Sequence, residues 1–369
     1  MELYLFRHNQ WESLYNCSQI NVDTIPFIMR YHPLNGSIII LLFIFFEVLY
    51  FPCLCSIYKH MEHSCYKFLF FIGIADMLMM FIQGSETGVF NFTGEMFCPN
   101  DKFNYITACF AGALFALESS ANFFLALDRC ADSLSPKISK FFFDGTKYFF
   151  IFSFQFKGKR VLIWMFFSIS LSIYYLFYVN PGIYDGVNMN WFINPFQSYP
   201  TVKVDITNYI NPMTIYYDTF LTFGFPAFYL LFILLFLFRL KEVRAISNVS
   251  HRSWKISMFF QVSIIIGLNI SCTLLFSIMQ YLPISQALIL FGYYTNYFVF
   301  GLPPVIYLIF NKTIRTDCRI MLGSIFFFLA FKLDKRQSVA NNIRSTTRVN
   351  PMPNQISCVR SYPNLTIKH

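Results

Sequence analysis

Seven stretches of this chain are long and apolar enough to cross about 30 Å of hydrocarbon as helices. They are residues 34–58, 66–90, 103–127, 161–179, 213–238, 256–281 and 286–310. Hydrocarbon offers no hydrogen-bond partner to a backbone N–H or C=O, so a spanning segment must satisfy both internally, as a helix does. The second stretch is the weakest, softening into Gln83-Gly84-Ser85-Glu86-Thr87-Gly88, but Phe68 to Ile82 is strongly apolar. Charged residues make up only 13% of the chain and hydrophobic ones 56%. Soluble domains carry about a quarter charged residues, so this much apolar surface needs lipid around it. The expected fold class is an all-α membrane protein, a seven-transmembrane helical bundle.

The connecting segments orient it. With the N-terminus outside, 24 of the 28 Lys and Arg fall on the inner side and 4 on the outer. That asymmetry is the positive-inside pattern, and it places the C-terminus in the cytosol. It also accounts for the net charge of +9 without nucleic acid, because the basic residues are dispersed among loops on one face. The first thirty residues lack a basic stretch followed by an apolar run and a small-residue cleavage site, so the first span is expected to act as the insertion signal. The organisation is then an extracellular segment (1–33), the membrane domain (34–310), a juxtamembrane segment (311–336) and a disordered cytosolic tail (337–369). Within the juxtamembrane segment, Ile320 to Phe331 is too short to span and is flanked by Arg315, Arg319, Lys332, Lys335 and Arg336, a pattern suited to the inner leaflet. The tail offers Ser338, Ser345, Thr346 and Thr347 for phosphorylation. No internal repeat marks the chain as an inverted-repeat transporter.

Ten cysteines do not make a disulfide scaffold here, because most lie in apolar runs or cytosolic segments. Cys17 and Cys98 are the extracellular pair, and a disulfide between them would tie the N-terminal segment to the loop before the third span. Sequons at Asn16 and Asn91 fall outside and one at Asn248 falls inside, so glycosylation tests the topology. Asn35 opens a further sequon too close to the membrane for modification.

Asp128-Arg129 stands where the third span meets the cytosol. An acid can hold a neighbouring guanidinium at rest and release it to a partner when helices move, although charges are expected at a membrane boundary in any case. In the seventh span Pro303-Pro304 removes two backbone donors and Tyr307 follows one turn later. Together the two motifs resemble the layout of rhodopsin-like receptors.

Five carboxylates lie within the apolar runs: Glu47, Asp76, Glu86, Glu118 and Asp218. No Lys or Arg occupies the central part of a span, and a charge at the bilayer centre costs about 2.5–3.5 kcal/mol. These acids are either neutral and hydrogen-bonded or face a polar cavity. Asp76 matches the buried aspartate of rhodopsin-like receptors, and Glu118 stands where those receptors have a small polar residue, so the two form a candidate cation or proton site. All six histidines lie outside the spans, which removes the ligands of an intramembrane zinc hydrolase. The seventh span has no lysine for a retinal Schiff base, and no phosphate-binding loop is present. The chain is expected to be no enzyme and to need neither metal nor cofactor.

An ordered set of short motifs resembles a narrower family, the nematode serpentine chemoreceptors of class T. It runs through Tyr15-Asn16-Cys17-Ser18, Leu49-Tyr50-Phe51-Pro52-Cys53-Leu54, His63-Ser64-Cys65-Tyr66-Lys67 and Gly73-Ile74-Ala75-Asp76 to Phe97-Cys98 and Ala126-Leu127-Asp128-Arg129-Cys130. It continues with Lys157-Gly158-Lys159-Arg160, Trp191-Phe192-Ile193-Asn194-Pro195-Phe196, Pro303-Pro304-Val305-Ile306-Tyr307-Leu308 and Asn311-Lys312-Thr313-Ile314-Arg315. The resemblance implies a receptor for a small external ligand, coupled to a heterotrimeric G protein and displayed on sensory-neuron membranes. Arg129 would contact the G protein, Asp128 would hold it at rest, and Pro304 and Tyr307 would serve the helix rearrangement, with Pro226 as a second bend. The ligand is expected between spans three, five, six and seven, near Tyr216, Tyr217, Tyr293 and Tyr294, residues that an interfacial aromatic belt explains equally well. The alternative function is a ligand-gated channel or transporter using the membrane carboxylates. Two features depart from the pattern. The second outer loop (180–212) has no cysteine to bridge to span three, and residues 144–156 insert a Phe-rich stretch before Lys157-Gly158-Lys159-Arg160.

Overall fold

In a computed structural model the chain is described over residues 1–18, 20–134, 160–199, 202, 204–231, 233–234, 249–281 and 285–324. The Phe-rich stretch at 144–156, Asn248, residues 325–336 and the tail at 337–369 lie outside the described residues. The chain divides into two units, Met1–Cys318 and Arg319–His369. In the second, the described residues 319–324 are helical.

Among the described residues of the first unit, seven helical stretches correspond to the seven apolar runs. They are α1 (Pro33–Lys59), α2 (Ser64–Thr93), α3 (Asp101–Leu134), α4 (Val161–Tyr178), α5 (Pro212–Thr219, continuing to 231), α6 (Val249–Tyr281) and α7 (Gln286–Gly301), the last followed directly by α8 (Pro303–Phe310). Among the described residues, four helical segments are by themselves long and apolar enough to cross a membrane: Phe27–Lys59, Ser64–Thr93, Cys98–Ala131 and Val161–Tyr178. Pro303 and Pro304 lack N–H donors, so the seventh stretch breaks at Leu302.

The helices close into a bundle. α3 packs against α2 and α4, α6 against α7, α8 and α3, and α1 against α2, α7 and α8. Between α1 and α2 the backbones approach closely: a Cβ on Gly36 would stand 2.9 Å from the Gly88 carbonyl oxygen, and one on Gly88 would stand 2.5 Å from Ile40. Small residues permit such contact where lipid supplies no hydrophobic drive. The opposite face of α1, with Leu34, Ile38, Leu41, Phe45 and Val48, is exposed and apolar, as a lipid-facing stripe must be. α2 and α5 each contain a π-helical turn, Phe81–Glu86 and Phe220–Gly224. A π turn inserts one residue and re-aims the side chains beyond it.

One end of the bundle is capped. Antiparallel strands β1 (Ile183–Asp185) and β2 (Asn190–Phe192) form a hairpin with Tyr184 opposite Trp191. Asp185 Oδ2 gathers the turn, accepting from Asn188 N (3.2 Å), Asn188 Nδ2 (2.6 Å) and Ser198 Oγ (2.6 Å). Asn190 Nδ2 pins the hairpin to α7 by donating to the Ile289 carbonyl at 3.1 Å. Two short N-terminal helices, Glu2–Phe6 and His8–Leu14, pack beside it. Trp11 of the second and Tyr15 just after it meet Tyr105 of α3 edge to face, at centroid distances of 5.8 and 4.8 Å.

Candidate functional site

The sequence-derived residues sort into three levels of the bundle. At the end opposite the hairpin, α3 carries Asp128 and Arg129 well inside the helix, because backbone hydrogen bonding continues past the apolar run. Asp128 is fully buried. Its Oδ1 accepts from Ser64 Oγ at 2.9 Å, and its Oδ2 accepts from Arg129 Nε at 3.1 Å and from Arg129 Nη2. The guanidinium is thus folded back on its neighbour, with only 13% of the Arg129 side chain exposed. Pro304 and Tyr307 of α8 are buried. Asn311 joins α8 to the helical residues 312–318, donating to the Tyr66 hydroxyl at 3.4 Å and accepting from Thr313 N and Ile314 N. Beside them Asp317 Oδ2 accepts from Ser56 Oγ at 2.8 Å and lies 2.9 Å from His60 Nε2. Burial alone would raise the Asp317 carboxyl, but Ser56, His60 and Lys59 together hold it below the ordinary range.

Halfway along, α1, α2, α3, α6 and α7 contribute to a buried polar cluster. Tyr50 Oη lies 2.8 Å from Asp76 Oδ2 and 2.7 Å from the Phe300 carbonyl oxygen. Glu118 Oε1 accepts from Asn122 Nδ2 and, at 3.3 Å, from Asn269 Nδ2 of α6. Asp76 Oδ1 and Glu118 Oε2 are buried and find no hydrogen-bond partner among the described residues. The two carboxyls lie within electrostatic reach of each other. Glu47 and Glu86 each also keep one unpartnered oxygen, and Asp218 is partly buried.

At the hairpin end the tyrosines separate. Tyr217 is buried and shares a 2.9 Å hydrogen bond with Ser119 of α3. Tyr216 is 73% exposed on the outer surface of α5, which removes it from any pocket. Successive helical residues point about 100° apart, so these neighbours cannot both face inward. Tyr293 donates to the Gln83 carbonyl and Tyr294 to Asn35 Oδ1, both at 2.5 Å, so their hydroxyls are tied to α2 and α1. Cys17 and Cys98 are joined in a disulfide with their Cα atoms 5.4 Å apart. Asn16 is exposed. Asn91, by contrast, is fully buried, its Nδ2 donating to the Thr87 carbonyl and its Oδ1 accepting from Asn35. A glycan cannot be accommodated there, so the expectation at Asn91 is corrected by its burial.

The sequence assigned no site role to Ser64, Tyr50, Asn122, Asn269, Gln83 or Trp191, although four of them stand in the stretches named above. One signal was present: Asn122 follows Glu118 by four residues, which puts both on one helical face.

Bundle, buried acids and a folded-back arginine define a multi-pass membrane protein built like a heptahelical receptor. The chain belongs to the serpentine type 7TM GPCR chemoreceptor Srt family, whose model matches residues 1–155 and 150–327. The two matched parts meet inside the Phe-rich stretch that departs from the family pattern. No curated protein matches the chain.

Proposed function

We propose that the protein is a G-protein-coupled chemoreceptor that binds a small external ligand at the hairpin end and signals through a heterotrimeric G protein at the Arg129 end. The seven helices each cross the bilayer, the N-terminus is extracellular and the C-terminus cytosolic, in the plasma membrane of sensory cells and their cilia. The observation that carries this reading is the closed Asp128–Arg129 pair held by Ser64. A buried acid with two such partners stores a cation that a modest helix movement can hand to a docking protein. The break at Leu302 supplies a place for that movement.

Arg129→Ala should reach the cell surface normally and give no ligand-dependent second-messenger change; normal signalling by this variant refutes the assignment. Asp128→Asn should raise ligand-independent output, because it loosens the hold on Arg129.

The unpartnered oxygens of Asp76 and Glu118 motivate a second reading, a ligand-gated channel or transporter that uses these carboxylates for a cation or proton. Ligand-evoked currents in cells without G-protein signalling would establish it. Currents absent while second messengers respond would eliminate it.

A further inference from the structure

Below the hairpin, three buried polar atoms on α2 and on the hairpin lack hydrogen-bond partners among the described residues. The π turn of α2 holds Gln83 3% exposed, with Oε1 unpartnered among the described residues. From the hairpin come the buried Tyr184 hydroxyl and Trp191 Nε1, also unpartnered. Their rings meet edge to face at 5.7 Å. The Trp191 indole packs both on the cluster holding Ala108 of α3 and on the one holding Tyr293 of α7, so it spans the mouth between those helices. Tyr293 in turn hydrogen-bonds the Gln83 backbone, which brings α2 to the same level. On α3, one turn from Ala108, a Cβ built on Gly112 would meet nothing within 4 Å.

A buried N–H, O–H or amide oxygen left without a partner destabilises the fold, and a ligand that supplies the partner recovers that loss. The walls are aromatic and small, and no Lys or Arg lies in the central part of a span. We propose that the space bounded by Gln83, Gly112, Tyr184, Trp191 and Tyr293 is the ligand chamber. It takes a compact neutral molecule with a hydrogen-bond acceptor for Trp191 and Tyr184 and a donor for Gln83. This assignment rests on the receptor reading and places the ligand toward α2 and the hairpin, away from the α5 face that carries Tyr216.

The test uses the full chain in lipid nanodiscs, with its four tryptophans replaced biosynthetically by 5-fluorotryptophan. The Trp191 fluorine resonance is assigned by its loss in Trp191→Phe. Benzamide, neutral and carrying both an acceptor and donors, should shift that resonance saturably, whereas propylbenzene should not. Gln83→Leu should weaken benzamide binding about tenfold. Gly112→Ala, which the open space accommodates, should preserve binding, and Gly112→Leu should abolish it. The assignment is overturned if the Trp191 resonance ignores benzamide, if propylbenzene moves it equally, or if Gly112→Leu binds unchanged. Tighter binding of benzylamine would overturn the neutral class. Because the readout is direct, its failure alongside Arg129-dependent signalling would remove the chamber and leave the receptor standing.

Discussion

Tyr50 Oη stands between Asp76 Oδ2, at 2.8 Å, and the Phe300 carbonyl oxygen, at 2.7 Å. A phenol has one hydrogen, and a carbonyl oxygen can only accept. When Tyr50 donates to Phe300, the contact with Asp76 is complete only if the carboxyl brings a hydrogen of its own. This ties the protonation of an α2 acid to the α1 and α7 helices that it joins.

Asp76→Asn is therefore expected to be tolerated, since its amide N–H can replace the acid hydrogen. Asp76→Ala should cost about 1–3 kcal/mol, because it leaves buried groups unpartnered. Thermal unfolding of the purified protein in nanodiscs distinguishes them. Equal losses in both variants would show that the ionised carboxylate is what this position requires.

The disulfide joins residues 81 apart in sequence and fixes the N-terminal helices to the start of α3. Replacing Cys17, Cys98 or both with Ser should give one and the same loss, about 2–5 kcal/mol. Surface expression and unfolding midpoints measure it. Additive losses would mean that the two thiols act separately.

Asn16 should carry a glycan, and Asn16→Gln should increase gel mobility. Asn91→Gln should leave mobility unchanged, because Asn91 is buried between α1 and α2. Asn248→Gln should also leave it unchanged if that loop is cytosolic; a glycan on Asn248 would reverse the proposed topology.

Stability should rise on mild acidification. Burial raises the Asp185 carboxyl above its ordinary value, and the bonds from Ser198 and Asn188 offset this only in part. The folded chain then binds this proton more tightly than the unfolded chain does. Its contribution is complete below the unfolded value of about 3.9 and fades as pH rises through the folded value. Unfolding midpoints should increase from neutral pH downward through that range, and Asp185→Asn should flatten this part of the profile. An identical slope in the variant would assign the effect to other groups.

Much of the helical layout was legible from the chain. The run at 161–179 became α4 at Val161–Tyr178, and the soft second run became Ser64–Thr93. Hydropathy stopped the third span at 127 although α3 runs to Leu134, because it registers apolar side chains and not backbone hydrogen bonding. The candidate site was legible only in its residue types. Asp76 and Glu118 stood out as unpaired acids, whereas Tyr50, Asn122 and Asn269 around them looked like ordinary members of apolar helices.

The amino-acid sequence determined that these runs become membrane helices, because a bilayer leaves an apolar segment of that length no other way to satisfy its backbone. It also fixed the family. Only the tertiary structure decided the rotation of each helix. A lipid-facing side is as apolar as a buried one, so hydropathy along α1 does not show which face turns inward. Close packing such as that of Gly36 on Gly88 sets that angle instead. This is why Tyr217 meets Ser119 while adjacent Tyr216 faces outward, and why Asp76 meets a tyrosine 26 residues before it and shares that tyrosine with the Phe300 carbonyl.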